Sequence, residues 1–393
     1  MSSADVIGGN DDIIMEILLH LPAKSLIKFK LVSRKWLNLI SDPNFVLRHY
    51  RQSPKTVSAI ILSCFMPLDF EAPQTYMYVS LDENQNQNSI QSRADFFSFD
   101  PSAPGSIMIS QSCNGLLLCY SENYGLPTGT YYIFNPVTNK FSIIPEPICH
   151  GNSMINYFSL AYEPTISPFY QVVCLQFYNS SCESLVYSSE TETWKDSKNQ
   201  ELEFFSADFH DGVYWNGGIH WLLTSDGTSF RFDIQQETIL KVPMPRPPLA
   251  ENWNPHNLRH FMECQGHLFL IDFDCPEYVI YEMENDRSKW LVKHRLDINL
   301  IVTAFPDRLD INLIRNRGNS CNSVLELEKL ISPVSLVEVE NEGPSLVMYI
   351  PGRFISYGFK DNTFKTIGEA KFYESRLGKW YHTFNYMETL SYV

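Results

Sequence analysis

Residues 11–45 read DDIIMEILLHLPAKSLIKFKLVSRKWLNLISDPNF, and they decide how the rest of the chain can be interpreted. In the first half, apolar residues recur at spacings of one, three and four, which predicts one apolar face on an α-helix. Pro22 ends that helix, because proline lacks the amide hydrogen that a helix interior needs. Leu26, Phe29 and Val32 then repeat the spacing and predict a second short helix.

A third short helix is predicted after Ser33, whose hydroxyl can accept a hydrogen bond from the first helical turn. This helix carries Trp36, Leu39 and Ile40, and Asp42-Pro43 is expected to end it. Three short helices thus hold many large apolar side chains in 35 residues. A unit this small rarely buries all of its own apolar surface, so we expect part of that surface to contact another protein.

The pattern resembles the F-box, in the form that plant proteins place before an F-box-associated domain. The residues that carry the resemblance are Ile17-Leu18, Leu21-Pro22, Lys24-Ser25-Leu26, Phe29-Lys30, Val32-Ser33, Trp36, Ile40-Ser41-Asp42-Pro43 and Phe45. The resemblance implies that the helices bind the Skp-family adaptor of a cullin-based (SCF) ubiquitin ligase. The family usually opens its first helix with Leu-Pro, whereas Asn10-Asp11 stand here, so one apolar adaptor contact is absent.

The resemblance also implies which side chains contact the adaptor. These are Ile13, Ile17, Leu18, Leu21, Pro22, Leu26, Val32, Trp36 and Leu39. We expect the Trp36 indole to pack the third helix on the first two, since its spacing places it on the inward stripe. The alternative for the whole stretch is a helical hairpin that packs only on its own chain.

Composition and charge limit the other classes of function. The chain has 393 residues, of which 44% are hydrophobic and 14% aromatic, and this predicts two or three folded domains with ample core. The net charge of −15 divides into +3 for residues 1–55 and −18 for the remainder. An acidic body argues against bulk nucleic-acid binding. The basic helical stretch suits an acidic partner, although solvated helix faces explain its charges equally well.

Cysteine usage and hydropathy indicate an intracellular protein. The nine cysteines form no C-x-x-C pair, so we expect reduced thiols and no zinc site. The first ten residues lack the basic start and apolar run of a signal peptide, and no apolar run of about 20 residues predicts a membrane span. We therefore expect a protein of the cytoplasm or nucleus, without a membrane partner.

From residue 57 onwards, helical periodicity gives way to short β-rich runs between turn residues. One unit recurs there, consisting of a β-aromatic strand, a polar turn, a Thr or Ser, and a closing hydrophobic residue. Its copies are YYIFNPVTNKF at 131–141, LVYSSETETW at 185–194, SFRFDIQQETI at 229–239, VIYEMENDRSKW at 279–290 and ISYGFKDNTF at 355–364. A second hairpin half precedes several copies, and two hairpins per period of about 50 residues make a four-stranded propeller blade.

The predicted fold class is therefore α+β and multidomain. A small three-helix F-box spans residues 8–50, a linker spans 51–56, and an all-β propeller of about six blades spans 57–393; a β-sandwich is the alternative. Because a propeller ring closes where its two ends meet, residues 371–386 are expected to pack beside residues 57–63. Separately, RLDINLI occurs at 295–301 and again at 308–314, which we interpret as a local duplication in a surface loop, with a functional arm as the alternative.

The β-region is also similar to the kelch-related F-box-associated domain. The similar blocks, in order, are SCNGLLLCY, YYIFNPVTNKF, LAYEPTISPFYQVV, VYSSETETW, GVYWNGGIHWL, VPMP, YEMENDRSKW and VMYIPGRFISYGFKDNTF. The resemblance implies a substrate-recognition subunit, in which the F-box docks the adaptor and through it a cullin, while the propeller captures an unidentified target protein. Two alternatives are a propeller-fold enzyme and an F-box scaffold that works outside degradation.

Residues with catalytic potential are few. No phosphate-binding glycine loop and no G-x-S-x-G elbow occurs, and we expect no catalytic residue, metal or cofactor. His220 lies in a predicted strand and is expected to be a hydrogen-bonded core residue rather than a base. Asp272 and Asp274 could form a carboxylate pair, but strand-end aspartates more often cap turns. Five tryptophans are expected in blade cores rather than in a ligand cage: Trp194, Trp215, Trp221, Trp290 and Trp380.

Overall fold

The computed structural model describes most of the chain. The described residues are 11–53, 56–64, 75–81, 90–92, 107–121, 129–147, 155–178, 181–197, 209, 211–222, 228–245, 259–274, 276–309, 330–339, 343–369 and 380–393. Short N-terminal helices are followed by 24 strands in six four-stranded sheets. The predicted fold class, a helical F-box region before an all-β propeller, is therefore confirmed.

Four helices, rather than the predicted three, form the N-terminal module. They are α1 (Asp11–Leu19), α2 (Ala23–Phe29), α3 (Arg34–Ile40) and α4 (Pro43–Gln52). Ser33 caps α3 as expected, because its hydroxyl oxygen accepts a hydrogen bond from the Trp36 amide at 3.2 Å. Asp42-Pro43 ends α3 but also begins α4, since Asp42 Oδ1 accepts from the Asn44 amide at 2.8 Å and proline suits the first helical position.

The fourth helix was not predicted from the sequence, because its inward face is partly polar. Phe45, Val46, His49 and Tyr50 are its buried residues, at spacings of one, three and four. His49 and Tyr50 read as polar in a hydropathy pattern, so the stretch resembled a basic linker. The exit from the third predicted helix and part of the predicted linker are therefore one continuous helix that ends at Gln52.

Each of the six blades contains four antiparallel strands. Blade 1 is built from β24 (Trp380–Tyr386), β1 (Ala59–Cys64), β2 (Thr75–Ser80) and β3 (Ile90–Ser92). Blade 2 contains β4 (Ile107–Cys113), β5 (Leu116–Ser121), β6 (Thr130–Asn135) and β7 (Lys140–Ile144). Blade 3 contains β8 (Ile155–Ala161), β9 (Gln171–Tyr178), β10 (Ser181–Ser188) and β11 (Thr193–Asp196).

The remaining three blades follow in chain order. Blade 4 contains β12 (Val213–Trp215), β13 (Gly218–Leu222), β14 (Ser229–Asp233) and β15 (Thr238–Val242). Blade 5 contains β16 (Arg259–Cys264), β17 (His267–Asp274), β18 (Glu277–Met283) and β19 (Trp290–Asp297). Blade 6 contains β20 (Ser332–Val339), β21 (Gly343–Ile350), β22 (Arg353–Gly358) and β23 (Thr363–Glu369).

The ring closes in blade 1, where the two ends of the β-region pair. Strand β24 is antiparallel to β1, with Ala59 opposite Tyr386 and Leu62 opposite Thr383. The first strands of successive blades contact one another, except that β8 of blade 3 contacts β13 of blade 4. Strand β24 takes the place of the first strand in blade 1. The predicted meeting of the two ends is thus confirmed for residues 380–386, while residues 371–379 lie outside the described part of the chain.

The recurring sequence unit is the hairpin that joins the third and fourth strands of a blade. In each copy, one residue of the turn has a positive φ, between 53° and 63°: Asn139, Glu192, Glu237, Arg287 and Asn362. A polar side chain at the start of the turn holds its backbone, as where Asp233 Oδ1 accepts from the Gln235 and Gln236 amides. The polar turn recurs in the sequence because blades 2 to 6 each use this tight, left-handed corner.

Side chains hydrogen-bond each blade to the next around the whole ring. The pairs, from the interface of blades 1 and 2 to that of blades 6 and 1, are Tyr76 with Ile109, Gln111 with Leu160, Trp221 with Ser159, Trp215 with Gly266, Tyr278 with Ile331 and Ser335 with Asn385. Trp215 and Trp221 are buried, and Trp194 and Trp290 are partly buried between blades, which confirms the expected packing role. The Trp380 side chain lies outside the described residues.

The first copy of RLDINLI is not in a surface loop, so that prediction is wrong. It completes β19 and begins α5 (Ile298–Ala304), and Leu296, Ile298 and Ile301 are buried in the core between blades 5 and 6. Asp297 starts the helix by accepting a hydrogen bond from the Asn299 amide at 2.8 Å. Of the second copy, only residues 308 and 309 are described.

Candidate functional site

The helical module carries the densest group of exposed large apolar side chains in the described residues. Ile13 and Ile17 stand one turn apart on α1, Leu31 and Val32 follow α2, and Leu37 lies on α3. Leu31 is 88% exposed, although Phe29, two residues earlier, packs against the helical core. A cluster of apolar side chains held in water by a small folded unit marks a protein-interaction surface.

The predicted contact residues divide into exposed, partly buried and buried side chains. Ile13, Ile17, Pro22 and Val32 are exposed. Leu21, Trp36 and Leu39 are partly buried against the helical core. Adaptor contact by these seven residues stays a prediction.

Two of the predicted contact residues are placed differently. Leu18 and Leu26 are no more than 1% exposed. Their assignment to the contact surface is wrong for this arrangement of the helices, because side chains buried in the core of the module cannot reach a partner. Apolar residues occupy successive positions on α1, which has nine residues. Residues 14 and 18 face the core of the module, whereas residues 13 and 17 face outward.

Trp36 packs as the sequence analysis predicted. Its ring meets the Phe29 ring edge to face, with 5.4 Å between the centroids, and this contact joins α3 to the end of α2. Leu31 and Leu37 are the exposed residues that the sequence analysis missed, since neither fits the inward stripe. An apolar residue beside Val32 in a helix connection is the signal that could have revealed Leu31.

The C-terminal tail, residues 387–393, joins the propeller to the helices. It leaves β24, and Leu390 is buried in the helical core. Glu388 forms an ion pair of 2.8 Å with Lys24, and the Tyr392 hydroxyl donates to the Ser41 carbonyl oxygen. On the propeller side, Asn135 Nδ2 donates to the carbonyl oxygens of Thr389 and Ser391, and both residues are buried. The tail therefore packs on both domains.

A second link runs through α4. The buried Tyr50 hydroxyl donates to Asn114 Oδ1 at 3.0 Å, and Asn114 Nδ2 donates to the Tyr162 carbonyl oxygen at 2.7 Å. Burial raises the pKa of Tyr50, so the hydroxyl keeps its proton and remains a donor. This chain of hydrogen bonds connects α4 to the first turns of blades 2 and 3.

His49 links α4 to the other helices of the module. Its Nε2 donates to the Leu21 carbonyl oxygen at 2.8 Å, which fixes α4 against the connection between α1 and α2. Burial lowers the pKa of His49, and the ring is therefore neutral at physiological pH. Together the tail, Tyr50 and His49 hold the exposed apolar side chains in a defined position relative to the propeller.

These links define two faces of the propeller. We call the face that meets the helices the near face; it carries the turn at 114–115 and the loop at 162–170. Because neighbouring strands are antiparallel, the connection from the fourth strand of each blade to the next blade leaves and returns on the opposite side, the far face. The longest intervals between strands, such as residues 298–331, are connections of this kind.

Of the candidate carboxylate pair in blade 5, the side chain of Asp272 is described, and its role is structural. Asp272 is buried, and each of its carboxylate oxygens accepts a hydrogen bond of 3.1 Å from the Arg259 guanidinium. The expectation that Asp272 caps a turn is therefore wrong. The Asp274 side chain lies outside the described residues. Within the described part of the chain, no three His, Cys, Asp or Glu residues are grouped so that they could hold a metal ion.

His220 is buried as predicted, and the Trp215 backbone is the hydrogen-bonding group that its ring approaches. Neither ring nitrogen makes a well-formed hydrogen bond to a described residue. Burial, with the nearby Arg231 charge, lowers the pKa of His220 to about 3, and a ring that stays neutral at pH 7 is a packing element here. The ring packs between blades 4 and 5, tilted against Trp215 and edge to face with Phe261.

Family profiles match both parts of this architecture. The profile of the F-box associated beta propeller domain matches residues 65–263, and that of the F-box domain matches residues 10–48. The chain belongs to the F-box proteins with an F-box-associated propeller. The six-bladed sheet topology continues past the end of the profile match, to residue 386.

Curated relatives support this assignment. F-box protein At5g07610 of Arabidopsis thaliana is 29% identical to this F-box protein, over all of the chain and 94% of the relative. F-box protein At5g49610 of the same plant is 24% identical, over 75% of the chain and 81% of the relative. The predicted relation to plant F-box proteins is thus confirmed.

Solved structures are similar only at low identity. A TolB structure from Acinetobacter baumannii covers 90% of the chain and 71% of its own length, with a TM-score of 0.43 and 10% identity. A structure of a nidogen–laminin complex covers 84% and 99%, with a TM-score of 0.43 and 7% identity. Neither likeness adds to what the strand pairing shows. Among the described residues, no helix has the length and apolarity needed to cross a membrane.

Proposed function

We propose that this F-box protein is the substrate-recognition subunit of an SCF ubiquitin ligase. The observation that carries the proposal is the exposed apolar surface of the F-box helices, built on a module fixed rigidly to a propeller. The Skp-family adaptor covers that surface and connects the chain to a cullin. The propeller binds the target protein, and the protein acts inside the cell, where these partners are found.

The adaptor contact gains its free energy from burial of preorganised apolar side chains. Full burial of an Ile, Leu or Val side chain stabilises a complex by about 1.5–3 kcal/mol. Ile13, Ile17, Leu31, Val32 and Leu37 start from exposures between 39% and 88%, so most of this gain is available on binding. Because the core beneath them is already packed, little additional ordering is required.

The far face of the propeller is the proposed site of target capture. The helices and the C-terminal tail occupy part of the near face, whereas the connections between blades leave from the far face. Loops on a rigid scaffold commonly carry binding residues. This F-box protein contributes proximity rather than chemistry, because a bound target is held at high effective concentration near the ubiquitin carrier.

The first test changes the exposed helix surface and measures adaptor binding. In the full-length protein, Ile17→Asp with Val32→Asp places two charges where apolar contact is proposed. We expect the affinity for a purified Skp-family adaptor to fall by about 100-fold or more, measured by biolayer interferometry. Leu240→Asp is the matched control, since Leu240 on β15 is 47% exposed and Ile17 is 51% exposed. Unchanged binding by the double variant would refute the proposed role.

The degradative role is tested with the same variants in cells. Proteins that co-purify with the unmodified chain are quantified with and without proteasome inhibition and compared with those bound by the double variant. Targets should accumulate under inhibition only when the helix surface is intact. Bound proteins whose amounts do not respond would favour the scaffold role instead.

A further inference from the structure

The hydrophobic core of the F-box helices contains a residue of the C-terminal tail. Of the nine buried residues described in this core, eight lie on the helices and the ninth is Leu390, which is 2% exposed. Val137, in the turn between the third and fourth strands of blade 2, packs against the same core and against the core that blades 1 and 2 share. The core beneath the exposed helix surface therefore includes side chains that only the propeller and its tail supply.

Blade 2 and the tail together fix the direction in which Leu390 points. The Thr389 and Ser391 hydroxyls hydrogen-bond to each other at 2.6 Å, so they lie on one side of the tail. Asn135 Nδ2 donates to the carbonyl oxygens of both residues, at 3.1 and 2.8 Å, and all three residues are buried. Because successive side chains in an extended segment point to opposite sides, Leu390 is turned away from these hydroxyls and towards the helices.

The tail begins where β24 ends, so its position depends on closure of the ring. Tyr386, the last residue of β24, lies opposite Ala59 of β1. Lys24 on α2 contacts both sides of this junction, because its Nζ lies 5.1 Å from the centroid of the Tyr386 ring and 2.8 Å from Glu388 Oε1. A chain in which β24 is unpaired loses the anchor that holds Leu390 at the helical core.

We propose that closure of the propeller ring and binding of the Skp-family adaptor are coupled through Leu390. The helices present a complete adaptor surface only when β24 has paired and Leu390 fills their core. This inference rests on the proposed function. Leu390 is buried and takes no part in the exposed surface, so it is a positioning residue rather than an adaptor contact.

The coupling follows from the fraction of molecules whose helices are packed. A small helical unit that loses a core residue opens more often. Since the adaptor binds the packed form, its apparent affinity falls by the fraction of molecules that keep that form. Residues 387–393 follow all 24 strands in the sequence, so a chain whose ring is incomplete would be kept out of the ligase.

The first test of the coupling removes most of the Leu390 side chain in the full-length protein. Leu390→Ala should weaken binding of a purified Skp-family adaptor by about tenfold, measured by biolayer interferometry. The loss should appear in the association rate, because fewer molecules are competent to bind, whereas a lost direct contact would raise the dissociation rate. Leu296→Ala is the matched control, since Leu296 is buried between blades 5 and 6 and its truncation leaves the helices intact. Equal affinity of the Leu390→Ala and unmodified proteins, an equal loss in both variants, or a change confined to the dissociation rate overturns the coupling.

The second test follows the helices directly by hydrogen exchange. In the Leu390→Ala protein, amides of residues 14–46 should exchange faster than in the unmodified protein, while those of β24 should not. Leu390→Met is the rescue, because methionine fills a similar volume and should restore slow exchange and bring the adaptor affinity to within about twofold of the original. Unchanged exchange of residues 14–46 in Leu390→Ala, or a failure of Leu390→Met to restore binding, overturns the role of Leu390.

The variant Ile17→Asp with Val32→Asp separates this inference from the proposed function. If that variant loses adaptor binding while Leu390→Ala binds normally, the coupling is overturned and the proposed function stands. If the variant with both aspartates binds normally, the proposed function itself is overturned.

Discussion

At the residue scale, apolar side chains at neighbouring positions differ in burial. Ile17 is exposed and Leu18 is buried, although both belong to one apolar run on α1. In the blades, His220 occupies a core position that an apolar side chain could fill. Because its ring nitrogens lack well-formed hydrogen bonds, this histidine weakens the core and adds a dependence on pH.

We predict that His220→Leu reduces the loss of stability in acid. The folded-state pKa of His220 is about 3, below its usual value of 6.5, so protonation favours the unfolded chain as pH falls from 6.5. Between pH 7.5 and 5, this single group lowers the free energy of unfolding by about 2 kcal/mol. Urea denaturation at both pH values should show that difference between the two proteins. Equal pH dependence would contradict it.

At the element scale, short turns position whole domains. The turns at Asn114-Gly115 and Asn216-Gly217 join the first two strands of blades 2 and 4, and all four residues have positive φ. Only the first of these turns supports the C-terminal tail. A Cβ atom on Gly115 would lie 2.5 Å from Thr389 Cγ2, whereas a Cβ atom on Gly217 would meet nothing within 4 Å.

We therefore predict that Gly115→Ala is more destabilising than Gly217→Ala. Both changes place an alanine at positive φ, which costs about 1 kcal/mol or more. Gly115→Ala also pushes the tail away from Asn114 and costs about 1–3 kcal/mol further. Denaturation midpoints provide the comparison, and hydrogen exchange should show faster opening of residues 387–393 only for Gly115→Ala. Equal costs would mean that the turn does not support the tail.

At the scale of the whole molecule, stability depends on closing the ring. Strand β24 supplies the inner strand of blade 1, and Ser335 Oγ on blade 6 donates to Asn385 Oδ1 at 2.7 Å. The buried Phe384 and Tyr386 also belong to the core that blades 1 and 2 share. Without β24, blade 1 loses its partner strand and blades 1 and 6 lose their contact.

We predict that ending the chain after residue 369 unfolds the propeller cooperatively. Ending it after residue 386 is the control, because that protein keeps β24 and loses only the tail that packs on the helices. Near-UV circular dichroism and thermal melting should show loss of tertiary structure in the shorter protein and a retained propeller transition in the longer one. A native melting midpoint in the shorter protein would contradict ring closure.

Local pattern in the sequence was sufficient for the first three helices, the recurring hairpin and the number of blades. Each depends on residues close together in the chain: a 3.6-residue period, a capping serine or a turn with a left-handed residue. The fourth helix was missed because His49 and Tyr50 are apolar in their packing but not in their hydropathy.

Tertiary structure alone decided which apolar side chains are covered, and which segment of the chain covers them. Leu390 enters the helical core from the opposite end of the chain, and the first RLDINLI copy is buried between blades 5 and 6. Periodicity shows that a segment has an apolar face, but the partner that covers this face is set by contacts between residues distant in sequence. The position of the exposed surface of the F-box helices depends on those contacts.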